Sequence, residues 1–396
     1  MTQLLEQPQQ AEKTEPSRGL SWFFDYLLIG AFLLALIFPA YGLFTRSTPL
    51  QPLTKGEKLL HCPKLKSTLA SVCAFPLAYR DYFQQTFAGR QSLVRLHALV
   101  TVNLLHIPST HKTLLGSDNW LFFNGIDYYK RNAPPLTPDE LNAWQHVFDT
   151  RNNWLAKRGI HYLVVFVPEK YTIYPEYMPA EERPAYKVSR LEQLLAHMRD
   201  SSSVPMLDLR PALLAHKAQG ILFRKTDAHW NDLGGFFAYQ AIMNRLQQWY
   251  PHAQPSALSD YSIGQMPFTE GEAATEMGLP YQYEEQVPQL LAVHPKHVHT
   301  LERNSAGYPD TRVIKDVIIT ECRHAEIPKV VILRDSFCYM LTPFLSQHFG
   351  RAVYLWEFGF NPQVIEQEHP DLVIQERVER VLLAPPLPAG IPQESE

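Results

Sequence analysis

Apolar positions along this chain fall into three kinds of run. From Tyr26 to Phe44 (YLLIGAFLLALIFPAYGLF) 19 positions pass without a charge, close to the ~20 residues a helix needs to cross the hydrocarbon core of a bilayer. Trp22, Phe23, Tyr26 and Tyr41 stand near the ends of the run, where amphipathic rings favour the interface. A signal peptide has a shorter apolar stretch of ~7–15 residues, so the run predicts an uncleaved anchor. The next segment, Thr45 to about Thr110, spaces its apolar residues at helical intervals, most clearly in DYFQQTFAGRQSLVRLHALVTVNLL (81–105). It predicts a juxtamembrane helical arm packed on the main domain.

Beyond the arm, buried-strand runs alternate with amphipathic helical ones. GSDNWLFF (116–123) reads as a turn into a strand, and LTPDELNAWQHVFDTRNNWLAKRG (136–159) as a helix capped by Thr137 and stopped by Gly159. HYLVVFVPEK (161–170) is a β-branched apolar run of the kind buried on both faces of a parallel sheet. A helix over 190–200, a strand over 204–209 and a helix over 233–250 follow. Strands over 316–320, 329–334, 352–356 and 371–376 then alternate with helices over 337–349 and 362–368. The intervening 251–316 is rich in Pro, Gly and polar residues and has the character of a substrate-facing loop or lid. Alternation of this kind predicts an α/β sandwich around a mostly parallel sheet.

The 45% hydrophobic and 19% charged composition is that of a folded chain, and 396 residues suit one average-to-large domain with appendages. A net charge of −4 shows no overall basicity of the kind that gathers nucleic-acid phosphates. Lys13 and Arg18 precede the apolar run and Arg46, Lys55 and Lys58 follow it, so the positive-inside count leaves orientation open. Cys62 and Cys73, two of four cysteines, are near enough in sequence to clip a loop in an oxidising compartment or to stay reduced.

Two stretches carry candidate chemistry. In KVVILRDSFCYML (329–341) a buried strand runs into Asp335-Ser336 at a helix start, where open α/β sheets place their ligands and where a free backbone N–H can meet an oxyanion. Read alone, the same residues serve as helix caps. In KTDAHWNDLGG (225–235) Asp227 and His229 project to one side of extended backbone. An aspartate beside a histidine suits a general base acting on a serine hydroxyl, while Asn231 and Asp232 suit the start of the next helix. Trp230 is either a wall of the cleft or core. Lys170, Tyr171 and Tyr174 follow a strand end, and either line the cleft or pack. Cys338 reads as packing, and His294, His297 and His299 as solvated loop residues with no partner at metal-ligand spacing.

TDAHWN (226–231), VPEKYTIYPEYMP (167–179), GSDNWLFF (116–123) and ILRDSF (332–337), in that constellation, resemble the SGNH hydrolase-like domain of alginate O-acetyltransferases of the AlgJ/AlgX type, from about Tyr82 to Arg380. The resemblance implies a circularly permuted SGNH sandwich over 111–383, preceded by a cytoplasmic tail (1–18), an anchor (19–45) and the arm (46–110), and followed by a disordered tail (384–396). It implies Ser336 as nucleophile, His229 as base and Asp227 as its partner, with no metal or other cofactor. Arg334 departs from the glycine usual before Asp-Ser and joins the residues expected at the cleft. The partners implied are a periplasmic exopolysaccharide acceptor, a membrane-bound O-acyltransferase relaying acetyl groups, and an export complex. A carbohydrate esterase with the same triad and a non-catalytic polysaccharide-binding or scaffold subunit are the alternatives.

Overall fold

The computed structural model describes residues 18–44, 60–87, 89–123, 134–183, 188–269, 271–279, 281–301 and 317–391, with side chains over 22–37 in the first stretch. These residues divide into two units, 1–97 and 98–396. In the first, the apolar run forms the helix Arg18–Phe44, and the large side chains from Trp22 to Ile37 are mostly exposed. Among the described residues no helix is long and apolar enough to cross a membrane.

The expected arm helix is divided. One helix covers Leu69–Thr86, begun by the Thr68 side chain accepting the Ser71 N–H at 3.3 Å, and a second begins at Arg90. The break falls at Gly89, whose φ of 80° is left-handed backbone that glycine adopts without strain. The Cys62–Cys73 clip does not form. Both thiols are free and exposed, and Cys62 Sγ turns back toward the Pro63 carbonyl at 3.9 Å.

Among the described residues the second unit holds eleven strands: β1 (Thr113–Leu115), β2 (Leu121–Phe123), β3 (His161–Val167), β4 (Met206–Asp208), β5 (Tyr261–Phe268), β6 (Glu285–Ala292), β7 (Val298–Leu301), β8 (Val317–Cys322), β9 (Ile327–Arg334), β10 (Phe349–Trp356) and β11 (Leu372–Val378). Seven of them make one sheet in the order β4-β3-β11-β9-β10-β8-β7, parallel from β4 through β10 and antiparallel for β8 and β7. β1 and β2 pair in a small hairpin, as do β5 and β6.

Side chains alternate across the large sheet as a period of two requires. Leu163, Val165, Ile332, Tyr354 and Ile374 face one layer, built on the helix Asp232–Leu246. Val164, Phe166, Val331, Val353 and Val373 face the other, built on the helices Pro138–Ala156, Arg190–Ser201 and Pro362–Glu368. Each such aliphatic or aromatic side chain contributes roughly 1.5–3 kcal/mol when fully buried, so both layers are held by the sheet. The helix starts follow the sequence signals. Thr137 caps Pro138–Ala156 in a reciprocal pair with Glu140, and Gly159 (φ 72°) ends the segment.

Two expectations change. After β9 the chain forms a 3₁₀ helix over Ser336–Met340 and a separate turn of helix over Thr342–Leu345, rather than one helix to 349. Pro343 lacks the N–H that a continuous ladder needs. At the other end, the tail is held up to 391: Arg151 donates to the carbonyls of Pro388 (3.0 Å) and Ala389 (3.2 Å). The last residues, 392–396, lie outside the described set.

The parallel strands end at one edge of the sheet. β9 delivers Ser336 there, β3 delivers Lys170 and β11 delivers Arg380. The helix Asp232–Leu246 reaches the same edge because two glycines in its first turn allow a close approach: a Cβ on Gly234 would lie 2.2 Å from the Leu222 carbonyl oxygen, and one on Gly235 2.9 Å from Met340 Cβ. Gly234→Ala is therefore expected to lower unfolding stability by roughly 1–3 kcal/mol. Gly264→Ala, whose Cβ would meet nothing nearer than 4.0 Å, is expected to stay within roughly 0.5 kcal/mol of the parent. Urea unfolding of the two variants checks the contrast, and equal stabilities would contradict the close approach.

Candidate active site

The loop that carries Asp227 and His229 is closed at its base by an isolated bridge between Phe223 and Trp230 and by the Arg224 N–H donating to the His229 carbonyl at 3.1 Å. Within it, Asp227 Oδ1 accepts from His229 Nδ1 at 2.6 Å and from the His229 backbone N–H at 2.9 Å. Burial pushes the Asp227 carboxyl up, but the hydrogen bonds and charge of His229 outweigh it and hold the group well below the usual carboxylate range. Asp227 is thus an ionised acceptor at any working pH, which selects the histidine tautomer with a proton on Nδ1 and leaves Nε2 with a lone pair.

That lone pair points at Ser336. His229 Nε2 and Ser336 Oγ are 2.7 Å apart, across 107 residues of chain. The serine follows β9 as the first residue of its 3₁₀ helix, so its own backbone N–H has no partner inside that helix. The turn is fixed from beneath by Asp335, whose Oδ1 accepts the Phe337 N–H at 2.9 Å and whose Oδ2 accepts the Val378 N–H at 2.8 Å. Trp230 completes the link, with Nε1 donating to the Phe337 carbonyl at 2.9 Å. Consecutive residues of one loop therefore grip consecutive residues of the other. Cys338, two residues on, is fully buried, and burial pushes its thiol well up, away from reactivity.

A base, its orienting acid and a hydroxyl at hydrogen-bond distance form the unit used in nucleophilic acyl transfer. Over residues 113–311 the chain matches the family described as SGNH hydrolase-like domain, acetyltransferase AlgX. The chain belongs to this family. The matched stretch takes in Asp227 and His229, while Ser336 lies beyond it and is joined to them by the geometry. The "Probable alginate O-acetylase AlgJ" of Pseudomonas aeruginosa is 24% identical over 212 residues, covering 54% of this chain and 52% of that protein. The chain spans about half the length of the curated relatives it matches. Among solved structures, Bacillus cereus PatB1 has a TM-score of 0.49 at 18% identity, covering 69% of this chain and 97% of that one. The O-acetyltransferase domain of Pseudomonas putida AlgJ has a TM-score of 0.43 at 20% identity, covering 68% and 92%.

The five residues that the sequence offered as either cleft-lining or packing are buried. Trp230 and Arg334 are fully enclosed, and Lys170, Tyr171 and Tyr174 nearly so. Trp230 spends its polar atom on Phe337. The Arg334 guanidinium lies beneath the rings of Tyr339 (4.3 Å) and Trp356 (5.1 Å), which is how a cation replaces the usual glycine without entering the cleft. Tyr174 packs against Trp120 at 4.6 Å and its hydroxyl accepts the Leu222 N–H at 2.9 Å. Asn231 caps the helix as expected, accepting the Gly234 N–H at 3.1 Å. His294, His297 and His299 are exposed and stand outside the site.

Several residues at the site carried no sequence signal, because they lie in the Pro- and Gly-rich 251–316 segment or at strand ends. Glu285 accepts the Lys225 and Thr226 N–H groups at 2.8 and 2.9 Å. The short helix Glu272–Glu276 presses on the same loop: Thr226 O accepts the Ala273 N–H, and Asp227 Oδ2 the Glu272 N–H at 3.2 Å. This segment braces the loop that carries Asp227 and His229. The Glu272 carboxylate reaches the rim, within 4.8 Å of ligand-type atoms of Asp227 and His229. The three have the chemistry to hold a cation, but a metal on His229 Nε2 would displace Ser336. Arg380, paired with Glu169 at 2.5 Å, sits over the Phe337 ring. A cavity of about 320 Å³ beside the loop, lined by Asn119, Lys225, Thr226, Gln282 and Tyr283, includes none of the three central residues.

Behind Arg380, Glu379 is enclosed, and burial pushes its carboxyl up to about 7 against hydrogen bonds from the Thr172 hydroxyl and the Glu169 N–H. A carboxyl whose pKa is raised on folding contributes stability fully below its unfolded value of ~4.3 and loses it as pH rises through the folded value. Glu379→Gln keeps the acceptor oxygen and removes the titration. Calorimetric melting temperatures are expected to fall less steeply for the variant than for the parent between about pH 4.5 and 7. Parallel curves would contradict the burial of an ionisable Glu379.

Proposed function

We propose that this chain is a membrane-anchored O-acetyltransferase that acetylates hydroxyls of an exopolysaccharide through an acyl-serine intermediate. The observation that carries the reading is the continuous hydrogen-bonded line from Asp227 through His229 to Ser336, at 2.6 and 2.7 Å. His229 Nε2 takes the Ser336 proton as Oγ attacks the acyl carbonyl, and the Ser336 backbone N–H faces the developing oxyanion. The tetrahedral intermediate collapses as its leaving group accepts the proton from His229. A sugar hydroxyl then attacks the acyl-serine, giving its proton to the same nitrogen, and Ser336 leaves with that proton. Asp227 keeps the ring aimed and stabilises the imidazolium in both halves. An oxyanion donor of this kind supplies roughly 3 kcal/mol of barrier lowering.

Family membership and the similarity to alginate O-acetylases support acetyl transfer to a polysaccharide, with alginate as the first acceptor to try. The uncharged run Tyr26–Phe44 is the support for an anchor, and the resemblance to AlgJ/AlgX-type acetyltransferases is the support for a domain on the periplasmic side that receives acetyl groups from a membrane-bound O-acyltransferase of the same export complex. An ester leaving group and a sugar acceptor require no metal in this scheme.

Incubating the purified chain with a soluble acetyl ester, with and without oligosaccharide, separates transfer from hydrolysis. Acetylated sugar is expected when acceptor is present. Acetate alone, at any acceptor concentration, would make the protein an esterase. Ser336→Ala is expected to abolish both products, and Asp227→Asn to lower kcat by roughly 10³–10⁴-fold with little change in KM. Wild-type turnover by folded Ser336→Ala would remove the triad from the mechanism, and a folded parent that releases neither product would favour a scaffold role.

A further inference from the structure

Lys170 is the first residue of the short helix that follows β3, and it is 3% exposed. Its ammonium points inward, where four backbone carbonyls converge on Nζ: Asp227 at 2.6 Å, Lys225 at 3.0 Å, Arg224 at 3.1 Å, and Leu121. The rings of Trp120 and Phe122 flank it at 5.6 and 5.1 Å. Three of the carbonyls belong to the loop that bears the catalytic acid and base, and the fourth belongs to β2. A single cation thus joins three stretches that stand apart in sequence: 116–123, 167–179 and 225–231.

Carbonyl dipoles turned inward together repel one another and are costly to bury without donors. The ammonium offsets both effects, and in doing so sets the peptide planes from Arg224 to Asp227. The direction of the Asp227 side chain follows from those planes, and its Oδ1 must meet two N–H groups of His229. Glu285 and the Glu272–Glu276 helix hold the same loop from outside. Lys170 is the cation among these contacts and holds it from inside.

Resting on the reading of Ser336 as nucleophile, we propose that Lys170 is a positioning residue for the triad, its ammonium aiming Asp227 at His229 by fixing the 224–227 backbone. Lys170 touches none of the reacting atoms. Its loss therefore weakens activation of Ser336 and leaves access to the cleft unchanged. Misplacement of catalytic groups by about 1 Å costs up to ~10²-fold in rate, which bounds the effect.

The test is the rate at which a small sulfonyl fluoride modifies Ser336 in the full chain in detergent, followed by peptide mass spectrometry across pH. The reagent reports serine activation and needs no polysaccharide. Lys170→Met is expected to lower the maximal labelling rate by roughly 10–100-fold, leave half-saturation within about two-fold, and shift the pH midpoint of labelling. Lys170→Arg, which keeps a cation and its donors, is expected to restore much of the rate and the wild-type midpoint. Wild-type labelling by folded Lys170→Met overturns the proposal. Where Lys170→Met fails to fold, Lys170→Arg decides: labelling near the wild-type rate supports the role, and slow labelling with an unchanged pH midpoint overturns it. A wild-type chain that is never labelled at Ser336 overturns the nucleophile assignment itself, and the positioning role with it.

Discussion

An imidazole that takes a proton at one nitrogen must hold one at the other, so its ring has to be fixed at both ends. His229 is held between Asp227 and Ser336 by two short hydrogen bonds, and the rest of the second unit is arranged to keep those contacts in register. The two loops are 107 residues apart in the chain. They are joined beside the His229–Ser336 contact by Trp230 and the Phe337 carbonyl, and behind it by Gly234 and Gly235, which let the first turn of the Asp232–Leu246 helix approach Leu222 and Met340. An error in either contact moves His229 relative to Ser336.

The floor of the site is polar and buried, which is uncommon for a central strand. β11 carries Gln375, Glu376 and Arg377 fully enclosed. Gln375 accepts from Arg151 at 3.0 Å, Glu376 accepts the Asp335 N–H at 2.9 Å, and Arg377 donates to the Leu333 carbonyl at 3.0 Å. Burial, and then the charge of Asp335, push the Glu376 carboxyl well up. Removing one member of such a network leaves another buried and unpaired, at a cost of several kcal/mol. The network fixes Asp335, and Asp335 fixes the backbone on both sides of Ser336.

Much of this was legible in the sequence for physical reasons. A β-branched run such as HYLVVFV has one comfortable place, inside a parallel sheet, and Thr137 with Glu140 marks a helix start wherever it occurs. Asp227 and His229 were readable because a polar turn leaves them unexplained, and Ser336 because it offers such a pair a hydroxyl at the end of a buried strand. Orientation was left open. Lys170, Tyr174, Trp230 and Arg334 have polar ends that suit a cleft equally well, and only the fold decides that those ends are spent on buried carbonyls, amides and rings. Glu272 and Glu285 were invisible because they act from a segment with no periodicity, through contacts 45 and 59 residues away. Cys62 and Cys73 show the same limit: proximity in sequence left their pairing open, and both are free.

The central claim is that Ser336 carries the acyl group. Rapid quenching of the full chain with an acetyl ester in the absence of acceptor, followed by peptide mass spectrometry, measures that directly. One acetyl group is expected on Ser336, accumulating faster than acetate is released and discharged when an oligosaccharide is added. Acetylation at another residue, or turnover with no acetylated Ser336 at any time, would contradict the account.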